Sequence, residues 1–170
     1  MSGIRRAVPG DAAEIVRLRR IMFAAMRGGD ASGPWERDAV RQAEAQLADP
    51  GSGLGAFVVD GDGGGGADGT EEGAGAGHLA ACAVGRVEER LAAPVAPAGR
   101  FGFVFNVCTD ARYRGRGLAR ATTEALLDWF AAEGVTRVDL HATEEAEHLY
   151  RSLGFREHSI ALSLDVSERA

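Results

Sequence analysis

The stretch that most constrains this chain runs from Phe101 to Arg120. An alternating apolar run, Phe101 to Thr109, passes through Asp110-Ala111-Arg112-Tyr113-Arg114-Gly115-Arg116-Gly117 into a helical pattern that begins at Leu118. A strand that turns directly into a helix presents the unpaired N–H groups of the first helical turn at the positive end of the helix dipole. Gly115 and Gly117 let a ligand approach that backbone with no Cβ in the way, and Arg114 and Arg116 add positive charge. Such a junction binds anions, so an anion site is predicted at residues 107–120.

Two other readings of the glycines fail on spacing. A dinucleotide loop, G-x-G-x-x-G, requires Gly or Ala at position 120, which is Arg120, and it usually follows a domain's first strand, whereas several elements precede this one. The tract GDGGGGADGTEEGAGAG at 61–77 lacks the G-x-x-x-x-G-K-[ST] pattern, and its Asp and Glu side chains would repel phosphate. Its composition predicts a flexible hairpin loop.

The remaining elements follow from periodicity and punctuation. Ile4 to Ala7 is a short strand, and Pro9-Gly10-Asp11 supplies a turn and an Asp N-cap for a helix starting near Ala12, with Ile15, Leu18, Met22 and Met26 on one stripe. Gly28-Gly29 ends it, and a second helix runs from about Pro34 to Leu47. Strands are predicted at Gly55 to Asp60 and His78 to Val87, with a Pro-containing break at Leu91 to Gly99 before Phe101. Then follow a helix from Leu118 to Ala132, a strand at Arg137 to Ala142, a helix from Glu144 to Ser152, and a strand from Phe155 to about Val166. Gly134 and Gly154 stand where left-handed C-caps belong. The order implies a mixed α/β sheet, and 170 residues suit one domain spanning the chain.

Composition excludes several classes. A formal net charge of −6 leaves no broad basic footprint for nucleic acid or an anionic membrane surface. No window approaches the ~20 apolar residues of a membrane span, and the N-terminus has no secretory pattern, so a cytoplasmic setting is expected. Cys82 and Cys108 lie in apolar strand-like runs without ligand spacing, which predicts free thiols, no disulfide and no metal.

The loop also fits R-x-x-G-x-G/A, read as Arg112-x-x-Gly115-x-Gly117, and the run from Asn106 to Ala119, N-V-C-T-D-A-R-Y-R-G-R-G-L-A, resembles the central strand and loop of the GNAT superfamily of N-acetyltransferases. A second block, Ala146-x-x-Leu149-Tyr150-x-x-Leu153-Gly154-Phe155, resembles that superfamily's later A-x-x-L-Y-x-x-L-G-F motif. The resemblance implies a mixed, mainly antiparallel sheet flanked by helices and splayed at the central strand. It also implies acetyl-coenzyme A as cosubstrate and transfer of the acetyl group to the amine of a small molecule or peptide by direct attack.

Carried over residue by residue, the pyrophosphate falls to Arg114, Gly115, Arg116, Gly117, Leu118 and Ala119, with Arg112 in the signature and Arg120 assisting. The pantetheine arm falls to the backbone of Val107, Cys108 and Thr109, and Tyr150 becomes the general acid for the leaving thiolate. Thr143 stands where many relatives carry an Asn that bonds the pantetheine region. No base is specified: His141, His148, Glu144, Glu145, Asp110 and ordered water all stay open, while His78 and His158 read as surface or packing residues. The acceptor would be shaped by residues 19–35, by residues 91–100 and by the chain's end, with Met26, Trp35 and Arg37 as candidates to line its pocket. The resemblance further implies homodimerisation, which no motif here specifies. A non-catalytic acyl-CoA-binding module is the rival, and it would have no need of Tyr150.

Overall fold

A computed structural model describes residues 3–62 and 77–169, so most of the tract expected to form the hairpin loop, 63–76, lies outside the described residues. The elements are β1 (Ile4–Arg6), α1 (Ala12–Arg27), α2 (Trp35–Ala48), β2 (Leu54–Asp60), β3 (Leu79–Glu89), β4 (Arg100–Thr109), α3 (Leu118–Ala132), β5 (Arg137–Leu140) and α4 (Glu144–Ser152). The five strands form one sheet in chain order. All neighbours are antiparallel except β4 and β5, which are parallel and joined by α3, the crossover that a parallel pair requires. The chain divides into two compact units: Met1–Leu140 holds the sheet with α1 to α3, and His141–Ala170 holds α4.

Two apolar layers cover the sheet. On one face Ile15 and Leu18 of α1 pack with Ala56, Val58, Cys82, Val84 and Cys108. On the other, Leu126 and Phe130 of α3 pack with Ala83, Val87 and Val104. The α3 face is levelled by glycines: a Cβ at Gly55 would lie 2.3 Å from the Trp129 ring, and one at Gly85 would lie 2.8 Å from Phe130. The missing side chains let the two aromatics rest directly on the strands, and this fixes the height of α3 above the sheet.

Two irregularities in β4 matter for the site. Val84 of β3 pairs with Asn106, yet the next residue, Gly85, pairs with Val104, so Phe105 is the extra residue of a β-bulge. The parallel pairing with β5 covers only Phe101 to Val104. Beyond it no strand among the described residues lies against the second edge of β4, which is the splay expected at Val107 to Thr109.

Three expectations need correction. Asp11 stands at the N-cap of α1 but its side chain makes no capping bond there, because a 3-10 turn, Pro9–Asp11, precedes the helix and gives Asp11 helical dihedrals. Its carboxylate instead accepts from the Val8 N–H at 2.8 Å and from Arg5. Met26, placed on the apolar stripe of α1, is exposed in that helix's last turn. The strand expected from Phe155 to Val166 does not form among the described residues. Ile160, Leu162, Leu164 and Val166 alternate as strand residues do, yet they are between 60% and 89% exposed and pair with no strand among the described residues. Alternation creates a face, but a strand needs an edge to bond to.

Candidate functional site

The loop between β4 and α3 is anchored before it opens. Asp110 accepts from the Arg112 N–H at 3.0 Å, closing a 3-10 turn at Ala111–Tyr113, and its other oxygen accepts from Arg17 of α1 at 2.7 Å. Hydrogen bonds from Arg112 and Arg17 hold the buried Asp110 carboxyl well below the usual carboxylate range. His78, at the start of β3, sits 3.4 Å from both Asp110 and Glu14. Arg112 turns its guanidinium to Asp110 and His78, toward the root of the loop.

Past that root the backbone opens. Gly115 and Gly117 both have φ of 75°, a left-handed conformation that side-chain-bearing residues rarely adopt, and a Cβ at either would meet nothing within 4 Å. Gly117 is the N-cap of α3 and contributes no side-chain bond. The first helical bond runs from Ala121 N to Gly117 O at 3.0 Å, so the amides of Leu118, Ala119 and Arg120 lie outside the helical ladder. Arg114 and Arg116 are exposed at this mouth, with Arg116 5.2 Å over the Tyr113 ring, while Arg120 pairs with Glu124 at 3.2 Å. Open amides, no side chains in front and guanidinium groups at the rim make a cradle for a pyrophosphate-like anion.

Upstream, Val107, Cys108 and Thr109 line the splayed edge of β4. Val107 packs toward α3 and Cys108 toward α1. Burial pushes the Cys108 thiol up to about 11, which leaves little thiolate at neutral pH and argues against a nucleophilic role. Thr109 Oγ1 is buried with no hydrogen-bond partner among the described residues, an orphan on the same edge.

The bulge brings together residues that were not paired at the sequence level. Asn106 is buried; its amide donates to Cys82 Sγ at 3.4 Å and its oxygen accepts from Arg19 of α1 at 3.1 Å. The Arg19 guanidinium also lies 4.7 Å over the Phe23 ring and 5.7 Å over that of Phe105. Strand alternation would send Phe105 and Asn106 to opposite faces; the bulge lets one arginine meet both. The available sequence signal was the Arg19/Phe23 spacing of four, which puts both side chains on one helix face. Trp35 extends this aromatic surface, its ring edge-on to Phe23 at 5.6 Å. Arg37 is exposed.

In the second unit, Tyr150 is buried and edge-on to Phe155 at 5.9 Å, and burial raises its phenol above the ordinary range. Thr143 is the N-cap of α4, where its hydroxyl accepts from the Ala146 N–H at 3.4 Å. His141, His148, Glu144 and Glu145 are exposed. Of the candidate bases, Asp110 is the weakest, since a carboxylate so firmly held ionised has little affinity for a proton. No group of metal-ligating residues occurs among the described residues.

Comparison with known proteins places this geometry. The chain is 32% identical over 93 residues to glucosamine 6-phosphate N-acetyltransferase 1 of Oryza sativa subsp. japonica, covering 55% of this chain and 54% of that protein. It is 34% identical over 65 residues to glucosamine 6-phosphate N-acetyltransferase of Trypanosoma brucei brucei, covering 38% and 44%. The chain thus spans about half the length of these relatives. Its fold matches a Clostridium acetobutylicum protein described as a predicted acetyltransferase with acetyl-CoA, at TM-score 0.78 and 18% identity over 99% and 98% of the two chains. It also matches a GCN5-related N-acetyltransferase of Ralstonia eutropha JMP134, at TM-score 0.73 and 22% identity over 96% and 98%. The family model for the acetyltransferase (GNAT) family matches residues 20–155, which include both the glycine loop and Tyr150. A sheet splayed at β4, a bare-backbone cradle at the start of α3 and this match agree: the chain belongs to the acetyltransferase (GNAT) family.

Proposed function

We propose that this protein transfers an acetyl group from acetyl-CoA to the primary amine of a small molecule, by direct attack of the amine on the thioester. The observation that carries the reading is the continuity of one feature. The edge of β4 from Phe105 to Thr109, against which no strand lies among the described residues, leads through Asp110 straight into the Gly115/Gly117 cradle and the first-turn amides of Leu118 and Ala119. An extended arm with a pyrophosphate at one end suits that layout. The arm would add to the strand edge through backbone hydrogen bonds, and the anion would end at the helix start.

The fit is supported by what the residues lack. Among the described residues no atom comes within 4 Å of a Cβ built at Gly115 or Gly117, and Thr109 Oγ1 is a buried hydroxyl with no hydrogen-bond partner. On this reading Val107, Cys108 and Thr109 hold the pantetheine by their main chain, and Arg114, Gly115, Arg116, Gly117, Leu118 and Ala119 hold the pyrophosphate, with Arg120 at the rim. Arg112 then serves by fixing the loop root through Asp110 rather than by reaching the anion. Thr143 contributes through the cap of α4. Acetyl-CoA supplies the activated acyl carbon; the protein orients it, polarises its carbonyl with main-chain donors near Val107 and Cys108, and delivers a proton to sulfur. We assign that proton to Tyr150, whose pKa burial raises; the proton that the attacking nitrogen sheds as the amide forms restores the phenol through solvent. Two free thiols, Cys82 and Cys108, suit a cytoplasmic setting.

The test is release of CoA thiol in the presence of acetyl-CoA and a panel of amines. Tyr150→Phe should lower kcat by roughly 10²-fold or more while acetyl-CoA KM changes little. Wild type should show no loss of rate up to about pH 9 attributable to this phenol. Full activity of Tyr150→Phe at every pH would remove the general-acid role. Binding of acetyl-CoA with no turnover of any amine would instead favour a non-catalytic module.

A further inference from the structure

Arg19 is unlike its neighbours on α1. Arg17 meets Glu14 and Asp110, and Arg20 meets Glu36, each within 2.9 Å. Arg19 faces no carboxylate among the described residues, although acidic residues outnumber basic ones in the chain, 25 to 19. Burial lowers its guanidinium pKa, and no carboxylate among the described residues offsets that burial. What holds it is neutral: the Phe23 and Phe105 rings on its faces and Asn106 Oδ1 at 3.1 Å.

A half-buried cation without a counter-charge is costly to keep. The same arrangement makes a strong receptor. Ring stacking fixes the plane of the guanidinium, its bond to Asn106 uses one nitrogen, and the rest of the planar fork is left to bind an oxyanion by two parallel hydrogen bonds. The location is specific as well. Arg19 stands on the α1 face of β4, at the bulge where the strand parts from β5, directly upstream of the edge assigned above to the pantetheine arm.

We propose that Arg19 is the anion-binding residue of the acceptor site, and that the acceptor is an amine carrying a phosphate or carboxylate group. The proposal rests on the acetyl-transfer reading and adds a substrate class to it. Phe23, Phe105 and Trp35 line the same place and would take the apolar faces of such a molecule, for example one side of a sugar ring.

Matched acceptor pairs provide the test: glucosamine 6-phosphate against glucosamine for phosphate, and an amino acid against its amide for carboxylate, all by CoA release at saturating acetyl-CoA. The wild type should favour the anionic member of at least one pair by about tenfold or more in kcat/KM, and which pair responds identifies the oxyanion. Arg19→Gln should erase that preference by lowering the anionic member about tenfold or more beyond any loss on the neutral one; Arg19→Lys should fall between. Equal loss on both members would mean that Arg19 only braces Asn106, and the proposal would fall. It would fall equally if the wild type turned over neutral amines as well as anionic ones. If Arg19→Gln does not fold, inorganic phosphate decides on the wild type: inhibition competitive with the amine supports the site, and its absence overturns it. No CoA release with any amine, despite binding of acetyl-CoA, would overturn acetyl transfer itself, an outcome distinct from turnover without charge preference.

Discussion

Asp110 shows how one side chain can shape a loop from its root. It ties the first residues after β4 to Arg17 on α1, and it caps the turn that aims Arg114 to Gly117. Because Arg112 and Arg17 depress its pKa, its stabilising contribution is complete above the unfolded carboxylate value of about 4 and is lost as pH falls through the lower folded value. Asp110→Asn should therefore cost roughly 1.5–3 kcal/mol at pH 7, the range for hydrogen bonds to charged groups. In urea melts the gap between variant and wild type should narrow steadily from about pH 5 downward. A gap independent of pH would show that the carboxylate's charge is not what matters.

Helix α3 gives an internal control at the scale of an element. Gly117 at its start and Gly134 just past its end have nearly the same φ, 75° and 78°, and a Cβ at either would meet nothing within 4 Å. Alanine at each should strain the backbone alike, by about 1 kcal/mol. Only Gly117→Ala should also raise acetyl-CoA KM, by several-fold, since only that end presents first-turn amides to the proposed anion; equal KM effects would deny the cradle its role. The bounds of α3 and α4 were legible at their ends because the signals are local: Gly134 and Gly154 stand as stops, both with positive φ. The loop was legible for the same reason. The meeting of Arg19 with Asn106 was not, because it spans 87 positions and depends on a bulge at Phe105 that no periodicity announces. The expected last strand failed for the complementary reason. Ile160 to Val166 carries the right alternation, but pairing is a tertiary event that alternation cannot supply.

At the scale of the whole molecule, the charge is of the wrong sign for the ligands inferred here. A net charge of −6 repels an anionic cosubstrate at long range, so the proposed binding rests on short-range features: the α3 amides, Arg114 and Arg116 for one ligand, Arg19 for the other. These differ in exposure, and salt should separate them. Arg116 is exposed at the mouth and already shares its field with Asp62 at 4.0 Å, so its attraction for a pyrophosphate is screened as the Debye length falls to about 10 Å at 0.1 M salt and below that at higher salt. Acetyl-CoA KM should rise several-fold between about 20 mM and 300 mM NaCl with kcat nearly unchanged, and Arg116→Gln should raise KM at low salt and flatten that slope. Arg19 is stacked between two rings and partly withdrawn from water, so the KM of an anionic acceptor should change less over the same range. Steady-state kinetics with each substrate varied in turn at several salt concentrations measures both slopes. A steeper slope for the acceptor than for acetyl-CoA would contradict this ordering of exposed and sheltered cations.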